Sequence, residues 1–169
     1  MAYTFIDSTL GLQPIATTGT VQNHKLGLIM KAEDPIYGAG EFIYLKGVVA
    51  TVVGTLVVYD GAATGTPTYQ TALCPSTAGL AQPVAVAMSA NVANQYGWYQ
   101  IAGSAVMATN GTLAAGPGPV YIGSAGNVTS TQANGKQILN ARNDTATGTP
   151  AANQAVVQIN RPFAQGQVA

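Results

Sequence analysis

Charged residues are scarce in this chain, and over nearly half of its length they are absent. Residues 61–135 contain no Asp, Glu, Lys, Arg or His, and charged residues make up 7% of the 169-residue sequence. A soluble domain ordinarily has about 25%, and polar catalytic mechanisms need a titratable side chain at the reacting atom. The sequence therefore predicts that the protein is not an enzyme. Because a neutral surface of small side chains is poorly protected against association, we expect other protein chains to cover much of it.

Neither sign of charge is in excess. Six Lys and Arg residues balance six Asp and Glu residues, so the formal net charge at pH 7 is zero. A surface that binds nucleic acid needs clustered cations, whereas the cations here are spread along the sequence. The sequence therefore predicts no nucleic-acid partner. The cations are Lys25, Lys31, Lys46, Lys136, Arg142 and Arg161.

Cysteine and histidine occur once each, as Cys74 and His24. A single cysteine excludes an internal disulfide framework and favours folding in a reducing compartment. A structural zinc site needs several Cys or His ligands, and a Ser-His-Asp or Cys-His site would depend on His24, which has no nucleophile near it in sequence. We therefore expect no metal and no cofactor. Cys74 precedes Pro75 in a neutral loop and is expected to be an inert thiol.

Long hydrophobic runs are also missing. The most apolar window, Val48–Tyr59, is interrupted by Thr51, Gly54 and Thr55, and it falls short of the roughly 18 apolar residues that a membrane-spanning helix needs. The first residues lack the basic and apolar regions of a signal peptide. We therefore expect a protein that contacts no membrane and is not exported through such a signal.

The first forty residues differ from the rest of the chain. They hold five of the twelve charged residues and the only histidine, and glycine or proline interrupts them repeatedly. No helical period of apolar residues survives these interruptions. Residues 1–40 are therefore predicted to form an extended N-terminal arm with one or two short strands, most clearly at Lys25–Met30. Arms of this kind often lie on a neighbouring chain.

From Glu41 onward the pattern is typical of strands. Runs of β-branched and aromatic residues alternate with turn clusters rich in Gly, Pro, Asn and Thr. Ser89–Gln95 favours a turn or a single helical loop. Residues 41–169 are thus predicted to be all-β: a single β-sandwich or partly open β-barrel of about seven to nine short strands. The predicted strands are Phe42–Val49, Leu56–Tyr59, Val84–Met88, Trp98–Gly103, Pro119–Ile122, Gln137–Arg142 and Ala155–Asn160.

A weak internal repeat divides this region. Tyr44–Gly47 resembles Gln100–Gly103, and each is followed by a turn, a Val-Tyr strand, a Thr/Gly-rich loop and a further strand. Two explanations stay open: two similar β units, 41–95 and 96–160, or coincidence in a sequence of few residue types. Neither explanation indicates a chemistry.

Apolar and aromatic residues supply the candidate contact sites. In the arm, irregularly spaced apolar side chains suit attachment to a partner, because burying them offsets the roughly 1–2 kcal/mol per residue lost on ordering the backbone. In the domain, three aromatic residues either stack on a ligand or form core plus one interface anchor. The candidate interface residues are Tyr3, Phe5, Ile6, Leu10, Leu12, Ile15, Tyr96, Trp98 and Tyr99.

Four segments resemble a known family in pattern and order: Tyr37–Val49, Gln82–Met88, Gln95–Gly103 and Ile159–Phe163. Across Leu26–Phe163 the chain looks like the head decoration, or cement, proteins encoded beside the major capsid gene of tailed bacteriophages. The run Tyr-Gly-Trp-Tyr-Gln at 96–100 is the most specific part of the resemblance. Such proteins act by adhesion, so the resemblance carries over no catalytic residue.

The resemblance implies a β-rich homotrimer on the outer capsid surface of the virion, made and assembled in the host cytoplasm. Its partners would be the major capsid protein and other copies of itself, and it would bridge capsid subunits against internal DNA pressure. An alternative is a receptor- or glycan-binding module of a phage tail or fibre that uses Tyr96, Trp98 and Tyr99. A third is a β-module with a hidden pair of catalytic carboxylates among its six acids.

Overall fold

Strand patterns in the sequence become strands in the structure. A computed structural model describes residues 4–5, 11–47, 51–59 and 68–168. Within these ranges there are eleven strands and no helix, which confirms the prediction of an all-β fold. The strands are β1 (Thr4–Phe5), β2 (Ile29–Asp34), β3 (Gly38–Lys46), β4 (Leu56–Tyr59), β5 (Thr71–Leu73), β6 (Val84–Ala87), β7 (Tyr96–Ala108), β8 (Gly118–Ile122), β9 (Val128–Thr129), β10 (Gln137–Asn143) and β11 (Gln154–Ala164).

The strands form one curled antiparallel sheet, a half-barrel. Its main path runs β1-β2-β3-β7-β11-β10-β8-β9, and β6, β4 and β5 branch from β7 in that order. Nine of the strands, β3 to β11, belong to the region predicted to hold about seven to nine strands, and β3 begins three residues before it. All seven strands predicted from sequence overlap observed ones. The end of the first, Val48 and Val49, lies outside the described residues.

The long strand β7 holds the sheet together because its neighbours use different stretches of it. Its first half pairs with β3 and β6, and its second half pairs with β11. Successive side chains point to opposite faces of a strand. Trp98 accordingly packs with Phe42 and Tyr44 on one face, whereas Tyr99 and Ile101 pack in a separate cluster on the other. One strand therefore supports two apolar clusters.

Strands β4 and β6 are apolar on both faces. Leu56 and Val58 enter the largest core cluster, which also contains residues of β7, β8, β10 and β11. The intervening Val57 enters the cluster around Tyr99, together with Ala85 and Ala87 of β6. A strand covered on both faces reads as a continuous hydrophobic run, which explains the sequences Leu-Val-Val and Val-Ala-Val-Ala. These two strands form an internal wall between the clusters.

The two halves of the domain share one strand order. In the first half the order is β5-β4-β6, and β6 pairs with β7, the first strand of the second half; in the second half the order is β9-β8-β10, and β10 pairs with β11. In each half the second strand (β4 or β8) lies between the third and the fourth. The fourth strand (β6 or β10) then pairs with the next long strand (β7 or β11). The division into repeated units at 41–95 and 96–160 stays a prediction; the structure adds that both stretches are built on the same strand order.

Equivalent bridges also occur in both halves. A parallel bridge joins Lys46 to Gln70, just before β5, and another joins Thr109 to Val128 in β9. The first bridge joins the end of β3 to the residue before β5, and the second joins the residue after β7 to β9. In each half, the end of the first strand is therefore bridged to the third strand. In the first half, the neighbours β3, β7, β6, β4 and β5 therefore complete a ring. Its interior is the cluster around Tyr99.

The N-terminal region contains two short strands, β1 and β2, and β2 lies a few residues after the predicted position. The strand expected at Lys25–Met30 lies at Ile29–Asp34 and pairs with β3 along its whole length. Asp34 ends it, and its buried carboxylate accepts the N–H groups of Ile36 and Tyr37 at 2.8 and 3.0 Å. These hydrogen bonds stabilise the turn between β2 and β3. The segment Ser89–Gln95 forms turns, as its sequence favours.

Replacing Leu56 by Ala tests the internal wall. The side chain of Leu56 is fully buried, so the substitution is expected to lower the free energy of unfolding by about 2–5 kcal/mol. Urea denaturation followed by the fluorescence of Trp98, the only tryptophan, measures this change. Val21→Ala is the control, because Val21 is largely exposed and its change should stay within about 0.5 kcal/mol. Equal losses in both variants would contradict the assigned wall.

Candidate functional site

The predicted interface residues at the N-terminus are only partly covered by the structure. Tyr3, Ile6 and Leu10 lie outside the described residues. Phe5 lies in β1, where its backbone pairs with Ala32 of β2. An interface role for these four positions stays a prediction.

Leu12 and Ile15 lie on this chain's own sheet. Ile15 is buried, and Leu12 packs against the same cluster, which includes Phe42 and Trp98. The sequence predicted that these side chains would strap onto a partner. The structure corrects this for Ile15, whose side chain is part of the core. The reason is that β2, β3 and β7 present an apolar face, which residues 12–28 cover.

Gln13 fastens this covering segment. Its backbone carbonyl accepts the indole N–H of Trp98 at 2.8 Å, and its side-chain oxygen accepts the hydroxyl of Tyr44 at 2.9 Å. The same oxygen accepts the amide of Asn23 at 3.1 Å. The backbone N–H of Gln13 donates to Nε2 of His24 at 3.0 Å. A single residue thus satisfies the polar atoms of two buried aromatic side chains.

The three aromatic candidates have separate roles. Trp98 is 0% exposed and Tyr99 is 1% exposed, so the structure corrects their prediction as interface residues. Tyr99 is further held by the Asn91 amide, which donates to its hydroxyl at 2.9 Å. Tyr96 is half-buried and stacks on Tyr44 with ring centroids 6.3 Å apart. Only Tyr96 remains a candidate contact residue in this cluster, and neither Trp98 nor Tyr99 offers a ring face to a sugar.

Two adjacent loops, 51–55 and 88–95, carry exposed valines, and we call them the valine loops. Val52, Val53 and Val92 are 63%, 41% and 42% exposed. The loops are joined because the N–H of Thr51 donates to the carbonyl of Asn91 at 2.8 Å. In the sequence, this Thr-Val-Val-Gly run resembles strand interior. Only the tertiary structure reveals that its valines face solvent.

The second surface feature is a pair of adjoining hollows on the outer face of the sheet, which we call the outer groove. One hollow, of about 370 Å³, lies over β10 and β11. The other, of about 290 Å³, lies where β3, β7 and β11 meet, and Asn160 lines both. The polar residues lining the outer groove are Lys31, Glu41, Asn140, Arg142, Gln158, Asn160 and Arg161.

Irregular backbone produces these hollows. Gly103, Asn140 and Arg161 lie in three neighbouring strands, and each has a positive φ, of 98°, 58° and 49°. The register between β10 and β11 shifts beside Asn140, and the register between β3 and β7 shifts next to Glu41. A Cβ on Gly103 would come within 2.5 Å of the Ala39 carbonyl oxygen, so this close approach requires glycine. Such bulges redirect side chains and are frequent beside functional sites.

Charge concentrates at the outer groove. Arg161 pairs with Glu41 at 3.1 Å, and Arg142 pairs with Asp144 at 3.7 Å. Both arginine side chains are more than half exposed, so each pair contributes little to stability. Sequence reasoning missed this cluster because Arg161 and Glu41 are 120 residues apart. The one available signal was that charges gather near both ends of the chain.

The remaining reactive groups are few. Burial raises the pKa of Cys74 to about 12, so its thiol is protonated at neutral pH, in line with the expected inert role. Among residues 4–5, 11–47, 51–59 and 68–168, no three His, Cys, Asp or Glu side chains are grouped so that they could hold a metal ion. In the same ranges no helix has the length and apolar character needed to cross a membrane.

His24 makes the Gln13 attachment sensitive to pH. Its Nε2 must be unprotonated to accept the Gln13 N–H, and burial lowers the pKa of His24 below its ordinary value of 6.5. The unfolded chain therefore takes up this proton first as the pH falls through 6.5, and the folded state loses stability below that value. Above it the contribution is fully present. His24 is the only histidine, so no other unperturbed side chain titrates there.

We expect urea denaturation to give a lower free energy of unfolding at pH 5.5 than at pH 7.5. His24→Gln keeps an acceptor oxygen but cannot titrate, so its free energy of unfolding should change less between these two pH values. Identical changes in the two proteins would contradict the assigned role of His24.

Similarity to known proteins does not indicate what the outer groove and the valine loops do. Comparisons of the chain with protein-family models, with curated proteins and with solved structures find no match. What these surfaces do must therefore be inferred from their own chemistry.

Proposed function

We propose that this protein is a structural virion protein that binds the outer surface of a tailed-phage capsid as a cement protein. In this role a homotrimer stabilises contacts between neighbouring major capsid protein subunits. The protein would be made in the host cytoplasm and carried on the virion surface. The proposal rests on the sequence resemblance, and one structural observation, the valine loops, supports it.

The valine loops offer apolar surface that this chain itself leaves uncovered. Single exposed hydrophobic residues are ordinary, and large contiguous apolar patches mark interaction sites. Here three valines lie on two loops that are hydrogen-bonded to each other. Burying apolar surface contributes about 25 cal/mol per Å². A protein partner that covers these valines would therefore gain free energy without any polar recognition.

The stretch of sequence that carries the valine loops is suited to burial by protein. Between Gly47 and Gly135 the only charged residue is Asp60. Charged groups must be desolvated when an interface forms, and this cost often exceeds what their pairing returns. A surface of Thr, Asn, Ala and Val side chains avoids most of that cost. Interface cores are likewise depleted of charge.

Several copies of the valine-loop contact on one capsid would bind more tightly than a single copy. Three valines per chain provide a modest contact, but a trimer presents three such patches, and linked contacts bind with an effective concentration that multiplies their affinities. Among the described strands β1 ends the main path of the sheet, and we propose its outer edge as a further point of attachment. Open edges can pair with a strand of another chain.

The proposal is tested with expanded capsids built from the major capsid protein encoded beside this gene. We expect the purified protein to be a trimer in solution, to sediment with those capsids and to raise the temperature at which they break. A monomer that neither binds the capsids nor changes their heat resistance would refute the proposal. A gene with no capsid gene beside it would also count against it.

Substitutions in the valine loops separate this surface from the rest of the protein. Val52→Asp and Val92→Asp each place a charge on the proposed contact and should weaken capsid binding by about tenfold or more, because the carboxylate must be desolvated. Val168→Asp is the matched control, since Val168 is 60% exposed but lies in the C-terminal tail. Equal weakening by all three substitutions would show that the valine loops are not the contact.

A further inference from the structure

We propose that the outer groove binds a carboxylated carbohydrate, meaning a saccharide with uronic-acid or similar acidic sugar units. This activity goes beyond capsid binding and uses a different surface. The proposal rests on the side chains at the two hollows. Different side chains would contact the carboxylate, the hydroxyl groups and the ring of the sugar.

The arginines supply the carboxylate contact. A guanidinium has five N–H donors, and the ion pairs of Arg161 and Arg142 each use one nitrogen. Both side chains therefore retain donors that point to solvent. Glu41 and Asp144 each pair with one of the two guanidinium groups. Lys31 adds a third cation at the far hollow. Arginine is well suited to bind carboxylates with two parallel hydrogen bonds.

Neutral amides supply the contacts for hydroxyl groups. Asn140 and Asn160 are exposed at the rim, and Asn160 lies between the two hollows. Gln158 is held by a hydrogen bond of its amide nitrogen to Oγ of Ser104 at 2.6 Å, which leaves its carbonyl oxygen to accept another. An amide both donates and accepts hydrogen bonds, as a sugar hydroxyl does. Arginine with three amides therefore matches a ligand that is both acidic and hydroxylated.

An apolar pair lies beside the groove. Leu139 and Phe163 face each other across β10 and β11, and they are 41% and 38% exposed. They flank the same register shift that contains Asn140 and Arg161. The C–H face of a sugar ring packs on such side chains, above all on an aromatic ring. In this proposal Phe163 stacks on the sugar, as the alternative glycan-binding hypothesis had Tyr96, Trp98 and Tyr99 do.

The sheet argues for a carbohydrate over an acidic peptide. A peptide gains most when its backbone pairs with a free strand edge. The groove lies over β3, β7, β10 and β11, and each of these strands has a neighbour on both sides. Recognition must therefore come from side chains. The positive-φ residues fix those side chains on a rigid sheet, and backbone strain of this kind is typical of ligand sites.

The experiment titrates the full-length protein with polygalacturonate, alginate, hyaluronan and polysialate by calorimetry. At least one should bind with a dissociation constant below about 1 mM, and its carboxyl-reduced form should bind about tenfold more weakly. Binding should also weaken as salt is added. If none of the four binds, or if the reduced form or poly-aspartate binds as tightly, the proposal is overturned.

Variants locate the site. Arg161→Gln and Arg142→Gln should each weaken binding about tenfold, and Asn160→Ala should weaken it less. Lys136→Gln is the control, because it removes one positive charge outside the groove. Melting curves verify that each variant is folded. Equal weakening in Lys136→Gln, or unchanged binding in both arginine variants, would overturn the assignment. No step uses a capsid, so the outcome is independent of the cement proposal.

Discussion

Strand pairing along Tyr96–Ala108 is the constraint on which the rest of the structure depends. This strand holds β3 and β6 along its first half and β11 along its second. Its alternating side chains also serve two apolar clusters at once, one under the N-terminal segment and one inside the first ring of strands. At Gly103, between these stretches, the backbone bends, and the outer groove opens there. The Gln13 attachment, the internal wall and the groove are all positioned by this one strand.

The scarcity of charge has a spatial order that clarifies both proposals. The valine loops lie in a stretch whose only charge is Asp60, whereas Lys31, Glu41, Arg142, Asp144 and Arg161 gather at the outer groove. Apolar, neutral surface is buried by protein at low desolvation cost, and fixed charges recognise small ionic groups. The valine loops are thus suited to a protein contact and the outer groove to an acidic ligand. The same chain can present both without their chemistries competing.

Local patterns predicted much of the fold and little of the candidate site. All seven predicted strands are present, because β-branched runs between turn residues form strands wherever a partner strand is available. The N-terminal strand shifted from Lys25–Met30 to Ile29–Asp34, since its register follows pairing with β3 and not the local sequence. Trp98 and Tyr99 belong to the core for the same reason: burial depends on what covers a side chain. The groove was missed because its residues come from distant strands.

By itself, the sequence determined the all-β class, the absence of histidine and cysteine clusters, the neutrality of residues 61–135 and the turns that separate the strands. These are properties of composition and of short-range steric preference, which operate within a few residues. Only the tertiary structure decided which valines are exposed, which aromatic residues are buried and which charges meet. Those outcomes depend on contacts between distant segments, such as Glu41 and Arg161, which are 120 residues apart. A local sequence pattern does not specify which distant strands become neighbours in the fold.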